Sequence, residues 1–372
     1  MALAFAGALL LLALLPAIGS AATREPLSVA RAALRDPSGA TDSNVRPDAD
    51  ALAAAQRDHA LHYDAGAQEV KEISSTYYGA EAMAPILATL RGLDHGPELA
   101  QLSVYVATPE EIVEICGATV VACYVPSRME MVVSGIDAPV AGVPRDFAIA
   151  HEYGHHIANS QHGDLFSSLE VGTIRWATYE RVCQFTRAHQ LFPGNQGNHY
   201  WEDPEEAFAE SYAHLTDPAA RVSWQYTSLL QPTTTSLAKI QADLTKPWTG
   251  PTTSVLGGTL AAPSAGPAHR IAGSARSGID SATVVGPPPW IAWRQIQTPL
   301  DGYVSVSLQA PAGADYVFAL RDSEGGHVLA TATTGEGGSA EISYGSCGHD
   351  SLQLEVRSLR GSGPFRATVV KP

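Results

Sequence analysis

The chain has 372 residues, 45 % of them hydrophobic and only 16 % charged, which is enough apolar material for a core and enough length for two domains of ordinary size. The formal net charge of −15 argues against a nucleic-acid partner. Affinity for phosphate backbones comes from Lys and Arg, and no basic cluster interrupts the acidic balance.

In chain order, Ala2 to Leu15 is an unbroken apolar run, closed by Pro16 and Gly19 and followed by the small residues Ser20, Ala21 and Ala22. No Lys or Arg precedes it. The pattern reads as a secretory signal peptide over 1–22, cleaved near Ala22, and predicts a secreted protein with no stable membrane insertion after its removal. Residues 23–65 read as a leader or propeptide-like arm with a loose helix over 48–61.

Apolar residues from Val70 to Leu93 recur at helical spacing. Gln101 to Ala107 alternates as a strand. Pro109 to Cys116 reads as a short helix capped by Thr108, with Glu111 three positions on. Val120 to Pro126 and Met129 to Ser134 read as two strands, one of them an edge strand beside a cleft. Helices are predicted over Pro144 to Asn159, where Pro is tolerated at the start, over Leu169 to Gln190, and over Pro204 to Leu215. Two helical patches follow, to about Leu244.

After Trp248, Gly, Pro, Thr and Ser dominate and helical periodicity stops. Short alternating strands follow at 303–308, 316–320, 327–332, 340–344, 352–356 and 365–370, with turns such as Asp301-Gly302 and Gly325-Gly326 between them. This spacing predicts a β-sandwich beginning near residue 250. The fold class expected is therefore α+β, with a helical and sheet domain over 66–249 and an all-β domain over 250–372.

The four cysteines are Cys116, Cys123, Cys183 and Cys347. An even count in an exported chain predicts two disulfides. Cys116 and Cys123 form the natural local pair, which leaves Cys183 with Cys347. No C-x-x-C spacing favours a thiolate metal site.

The strongest chemical signal is His151-Glu152-Tyr153-Gly154-His155. Residues four apart share one face of a helix, so both imidazoles can reach one ion. Zinc accepts His nitrogen, and a catalytic site leaves one position for water. Glu152, one residue round from His151, can reach that water and act as general base. A third ligand from the positions where metzincins carry Gly and His is excluded. Ala158 and Gln161 stand there, and His162 is one residue out of register. The alternative is a glutamate on the downstream helix. Glu206-Ala207-Phe208-Ala209-Glu210 places two carboxylates on one face, one to bind metal and one to orient a ligand imidazole. Glu202, Asp203 and Glu205 make the same stretch readable as an acidic solvated face. His156 reads as a surface or capping residue.

HEYGH followed about fifty residues later by E-A-F-A-E resembles the gluzincins, the zincin metallopeptidases with two His and one Glu as ligands. The glutamate helix looks most like that of the anthrax lethal factor type. The resemblance covers roughly residues 100 to 215. It implies a zincin-like catalytic domain with Zn2+ held by His151, His155 and Glu206, Glu152 as base and Glu210 orienting a ligand. It further implies a Tyr or His that stabilises the oxyanion. Tyr200 is the first candidate, ahead of His199, Tyr212 and His214. Leu300 to Val370 resembles bacterial pre-peptidase C-terminal domains, through Asp301-Gly302, Asp315-Tyr316-Val317-Phe318 and Gly361-Ser362-Gly363-Pro364-Phe365.

The expectation is a monomeric, secreted zinc metallopeptidase acting on protein or peptide substrates. Two rivals are an inactive zincin scaffold that binds partners through its sandwich, and a zinc amidase acting on cell-wall cross-links.

Overall fold

The computed structural model describes residues 50, 53–54, 60–65, 70–75, 77–117, 120–137, 143–161, 163, 165–219, 222–263, 288–324, 326–348 and 350–372. The expected signal peptide, the start of the expected arm and His162 lie outside them. The chain divides into two compact units at Thr249 and Gly250. The fold is α+β. No helix among the described residues is long and apolar enough to cross a membrane.

The first unit is built on a five-stranded mixed sheet in the order β1-β2-β3-β5-β4. Its strands are β1 (Ala60–Ala65), β2 (Val70–Ser75), β3 (Ser103–Ala107), β4 (Cys123–Val125) and β5 (Glu130–Ser134). β2, β3 and β5 run parallel, and β1 and β4 are antiparallel edges. Helices α1 (Ala80–Gly92) and α3 (Arg145–Ser160) share one core with the sheet through Met83, Ile86, Leu90, Val104, Val106, Met131, Val133, Ile149, Tyr153 and Ile157. Alternation in β3 sends Tyr105 and Ala107 to the opposite face. There they pack with Ile112 and Ile115 of α2 (Pro109–Cys116). The capping box of α2 is formed as its sequence predicts, with Thr108 Oγ1 accepting from Glu111 N and Glu111 Oε2 from Thr108 N.

Three helical readings are corrected. The end of the loose helix expected over 48–61 is strand, because Ala60 and Leu61 pair with Ser75 and Ser74 of β2. Val70–Ser75 is strand, not the start of a helix, because it is claimed by pairing with β1 and β3. The long helix over 169–190 is three short ones, α4 (Ser168–Val171), α5 (Ile174–Tyr179) and α6 (Val182–Arg187). It breaks at Gly172 and Arg181, which have φ of 79° and 60°. At Gly172 a Cβ would sit 2.7 Å from the Phe208 ring, so the break is also a close approach. Helices α7 (Pro204–Thr216) and α8 (Thr234–Thr245) complete the unit.

The second unit is built from β6 (Thr252–Leu260), β7 (Ile291–Thr298), β8 (Gly302–Gln309), β9 (Asp315–Asp322), β10 (Val328–Thr333), β11 (Ser339–Ser346), β12 (Asp350–Arg360) and β13 (Gly363–Lys371), in two four-stranded antiparallel sheets, β10-β9-β12-β7 and β11-β8-β13-β6. All six strands expected from alternation are present, as β8 to β13. Two more, β6 and β7, lay hidden in Thr-, Gly- and Gln-rich sequence. Their inner residues Leu260 and Ile296 join Val304, Val306, Phe318, Leu354 and Phe365 in one core.

The described residues hold two disulfides. One joins Cys116 to Cys123, clipping the end of α2 to β4. No cysteine among the described residues is free.

Candidate metal centre

The site lies between α3 and α7. Ile149, Tyr153 and Ile157 point one face of α3 into the sheet core. His151 and His155 stand roughly 200° further round the helix, on the side where α7 packs. Asp203 starts α7, its Oδ1 accepting from Glu205 N at 3.0 Å and Gly194 N at 3.2 Å. Glu206, Glu210 and His214, four apart, then line the face of α7 toward α3.

His151 Nε2 lies 3.3 Å from Glu206 Oε2 and 3.3 Å from His155 Nε2. His155 Nε2 is 3.7 Å from Glu206 Oε1. His151, His155 and Glu206 form a group that could hold a metal ion. The far nitrogen of each ring faces a carboxylate. His151 Nδ1 is 3.2 Å from Glu210 Oε2, and His155 Nδ1 is 3.4 Å from Glu205 Oε1. With each Nδ1 proton turned toward its carboxylate, both Nε2 atoms and the Glu206 carboxylate are acceptors. Acceptors this close repel unless a cation, a proton or a metal ion, sits among them.

The proton affinities express the same arrangement. Burial opposes charge on His151, but hydrogen bonds to Glu206 and Glu210 outweigh it and raise its pKa to about 9. His155 is pushed well above its ordinary value too, with Glu206 and Glu205 overcoming burial. Burial would raise Glu206, yet the two histidines hold it below the carboxylate range. Glu152 is buried and its pKa raised, chiefly by loss of solvent, in the joint field of His151, His155, Glu206 and Glu205.

Of the oxyanion candidates, only Tyr200 touches the cluster. Its hydroxyl donates to Glu206 Oε2 at 2.8 Å. His199 is stacked on Phe192 with ring centroids 3.7 Å apart. The Tyr212 hydroxyl donates to the backbone carbonyl of Asp94. His214 Nε2 stands 3.7 Å from Glu210 Oε1, behind the carboxylate that faces His151.

Three neighbours escape sequence reasoning. Glu205, inseparable in sequence from a solvated acidic face, is buried against His155. Gln196 Nε2 donates to Glu206 Oε1 at 3.1 Å. The Tyr226 hydroxyl is 3.1 Å from that of Tyr200. The last two lie on irregular segments, where no period marks them.

His156 is not on the surface. It is fully buried, with Nδ1 3.0 Å from the Tyr124 hydroxyl and Nε2 2.9 Å from the Glu98 carbonyl. Tyr153 donates to the Glu98 carboxylate at 2.9 Å. This polar knot anchors the motif helix from behind. Burial lowers the His156 pKa, so the ring is held neutral.

No family model matches the chain, and no curated protein matches it. Among solved structures, it has a slight similarity to a mitogen derived from Yersinia pseudotuberculosis, at 9 % identity over 33 % of this chain and 87 % of that one, TM-score 0.21. A second slight similarity is to Bacillus endospore appendages that form disulfide-linked pili, at 14 % identity over 32 % and 85 %, TM-score 0.20. Likenesses this slight carry no argument about fold or function.

Proposed function

We propose that the chain is a secreted zinc metallopeptidase of the gluzincin type, with His151, His155 and Glu206 as ligands and Glu152 as general base. The observation that carries the reading is the convergence of the two imidazoles and one carboxylate. A tetrahedral zinc with bonds of about 2.0–2.1 Å has edges of about 3.3–3.4 Å. The two imidazole nitrogens are 3.3 Å apart and match such an edge, while the Glu206 carboxylate turns Oε2 to His151 at 3.3 Å and Oε1 to His155 at 3.7 Å, so that one ligand atom from each residue lies within 4.8 Å of the others. Two nitrogens and one carboxylate oxygen are a donor set zinc accepts, and a carboxylate behind each imidazole is the usual support for such ligands.

Bound there, zinc would supply Lewis-acid polarisation of a peptide carbonyl and make a nearby water more acidic. The rest belongs to the chain. Glu152, buried and with raised proton affinity, is suited to take a proton from the attacking water and return it to the departing nitrogen. Glu210, hydrogen-bonded to His151 Nδ1, would hold that imidazole in the tautomer that leaves Nε2 free, and Glu205, 3.4 Å from His155 Nδ1, would favour the same tautomer there by charge. Tyr200, hydrogen-bonded to Glu206, stands at the edge of the reacting centre.

The test is hydrolysis of casein by the purified chain beside Glu152→Gln, with zinc content measured in both. Activity that disappears in the variant while zinc stays supports the reading. A zinc-loaded wild type inactive on casein and on a broad peptide library counts against it and favours a binding protein on the same scaffold.

A further inference from the structure

We infer that Tyr226 is a positioning residue of this site, acting through Tyr200 on Glu206; the inference rests on the zinc reading above. The order of the hydroxyls follows from counting protons. A phenol has one O–H. Tyr200 directs its own at Glu206 Oε2, 2.8 Å away. Its oxygen is therefore the acceptor in the 3.1 Å contact with the Tyr226 hydroxyl, and Tyr226 is the donor. The chain runs Tyr226 to Tyr200 to Glu206, each hydrogen bond fixing the next torsion.

The surroundings hold Tyr226 in place. Its ring packs on Tyr200, Trp201 and Trp224 with centroids 5.7, 5.6 and 5.3 Å apart. Thr227 N donates to the Trp201 carbonyl at 2.8 Å, tying the segment after α7 to the turn that carries Tyr200. Glu206 thus has two fixed donors around its carboxylate, Gln196 and Tyr200. Removing the Tyr226 hydroxyl takes away the donor that fixes the Tyr200 oxygen, and so loosens the hydrogen bond by which Tyr200 aims Glu206 Oε2.

Tyr226→Phe removes the donor and keeps the ring contacts. Zinc affinity, measured by competition with a chromogenic chelator, is compared in wild type, Tyr226→Phe, Tyr200→Phe and the double variant, with the melting temperature of each metal-free protein. Removing a group that orients a ligand costs about 10–100-fold in metal affinity. Tyr200→Phe is expected near the lower end, and Tyr226→Phe at about 3- to 10-fold because it acts one step away. The double variant should bind zinc no more weakly than Tyr200→Phe alone, since the second change removes nothing the first has left. Additive losses, or unchanged affinity in Tyr226→Phe whatever its melting temperature, overturn the inference and leave the zinc reading standing. A wild type that binds no zinc overturns both.

Discussion

Gly154 lies so close to Ala209 that a Cβ built on it would stand 2.7 Å from the Ala209 Cα. The obstruction is backbone, which cannot swing aside as a flexible side chain can. The glycine inside the HEYGH motif therefore sets the separation of α3 and α7, and through it the reach from His151 to Glu206. Gly154→Ala should force the helices apart. The expected loss is about 1–3 kcal/mol of stability, as for overpacked cores, together with weakened metal binding. Denaturant unfolding and zinc titration check both, and unchanged zinc affinity would show that helix spacing does not govern the site.

The two carboxylates behind the imidazoles should matter to different degrees. Glu210 Oε2 is 3.2 Å from His151 Nδ1, and Glu205 Oε1 is 3.4 Å from His155 Nδ1. Glu210→Gln should weaken zinc binding by about 10-fold or more, and Glu205→Gln by less. Glu206→Ala should abolish it. A Glu206→Ala protein with full zinc occupancy would move the ligand assignment to another glutamate.

Zinc binding should release protons at neutral pH. In the metal-free site the His151 pKa is raised to about 9, so the ring carries a proton that a ligand nitrogen must give up. Apparent zinc affinity should rise about tenfold per pH unit between roughly pH 6.5 and 9 for each proton released. Calorimetry in buffers of different ionisation enthalpy counts those protons. A pH-independent affinity would mean the cluster is already neutral.

The same shift fixes a stability trend for the metal-free chain. His151 titrates higher when folded than its ordinary 6.5, so its contribution is complete below about pH 6.5 and is lost as pH rises through about 9. Glu206, depressed from its ordinary 4.5, contributes above that value and loses its contribution as pH falls. Melting temperature in chelator should decline from pH 6.5 to 9, and the zinc-loaded protein should escape that decline. Parallel melts with and without zinc decide the matter.

His156 should prove structural. Its ring bridges the Tyr124 hydroxyl and the Glu98 carbonyl in a fully buried position. His156→Ala leaves the Tyr124 hydroxyl with Asn159 Nδ2 as its remaining partner, removes the side-chain contact to the Glu98 carbonyl and opens a cavity, and the expected cost is about 2–4 kcal/mol. Thermal or urea unfolding measures it. A loss below about 0.5 kcal/mol would mean the network rearranges freely.

Much of the architecture was legible in local pattern. The Thr108–Glu111 box, the α3 and α7 boundaries, the six sandwich strands and the Cys116–Cys123 pair each depend on neighbours a few residues away. Periodicity or capping chemistry reports such features directly. Where it failed, a non-local partner had prevailed. Val70–Ser75 has helical spacing but is bound by two strands, and the stretch after Leu169 breaks where Gly172 meets Phe208.

The candidate site divides the same way. His151, Glu152 and His155 are set by one helix turn, so the sequence alone determined that they share a neighbourhood, and it named Glu206 and Glu210 as partners of the right type. The packing of α7 on α3 and of α3 on the sheet settled that Glu206 faces both imidazoles, that Glu205 is buried beside His155, and that His156 faces the core. Tyr226 likewise reaches the centre from a segment with no period. Those outcomes depend on how closely two helices approach and which loop closes over them, and side-chain packing between distant segments sets both.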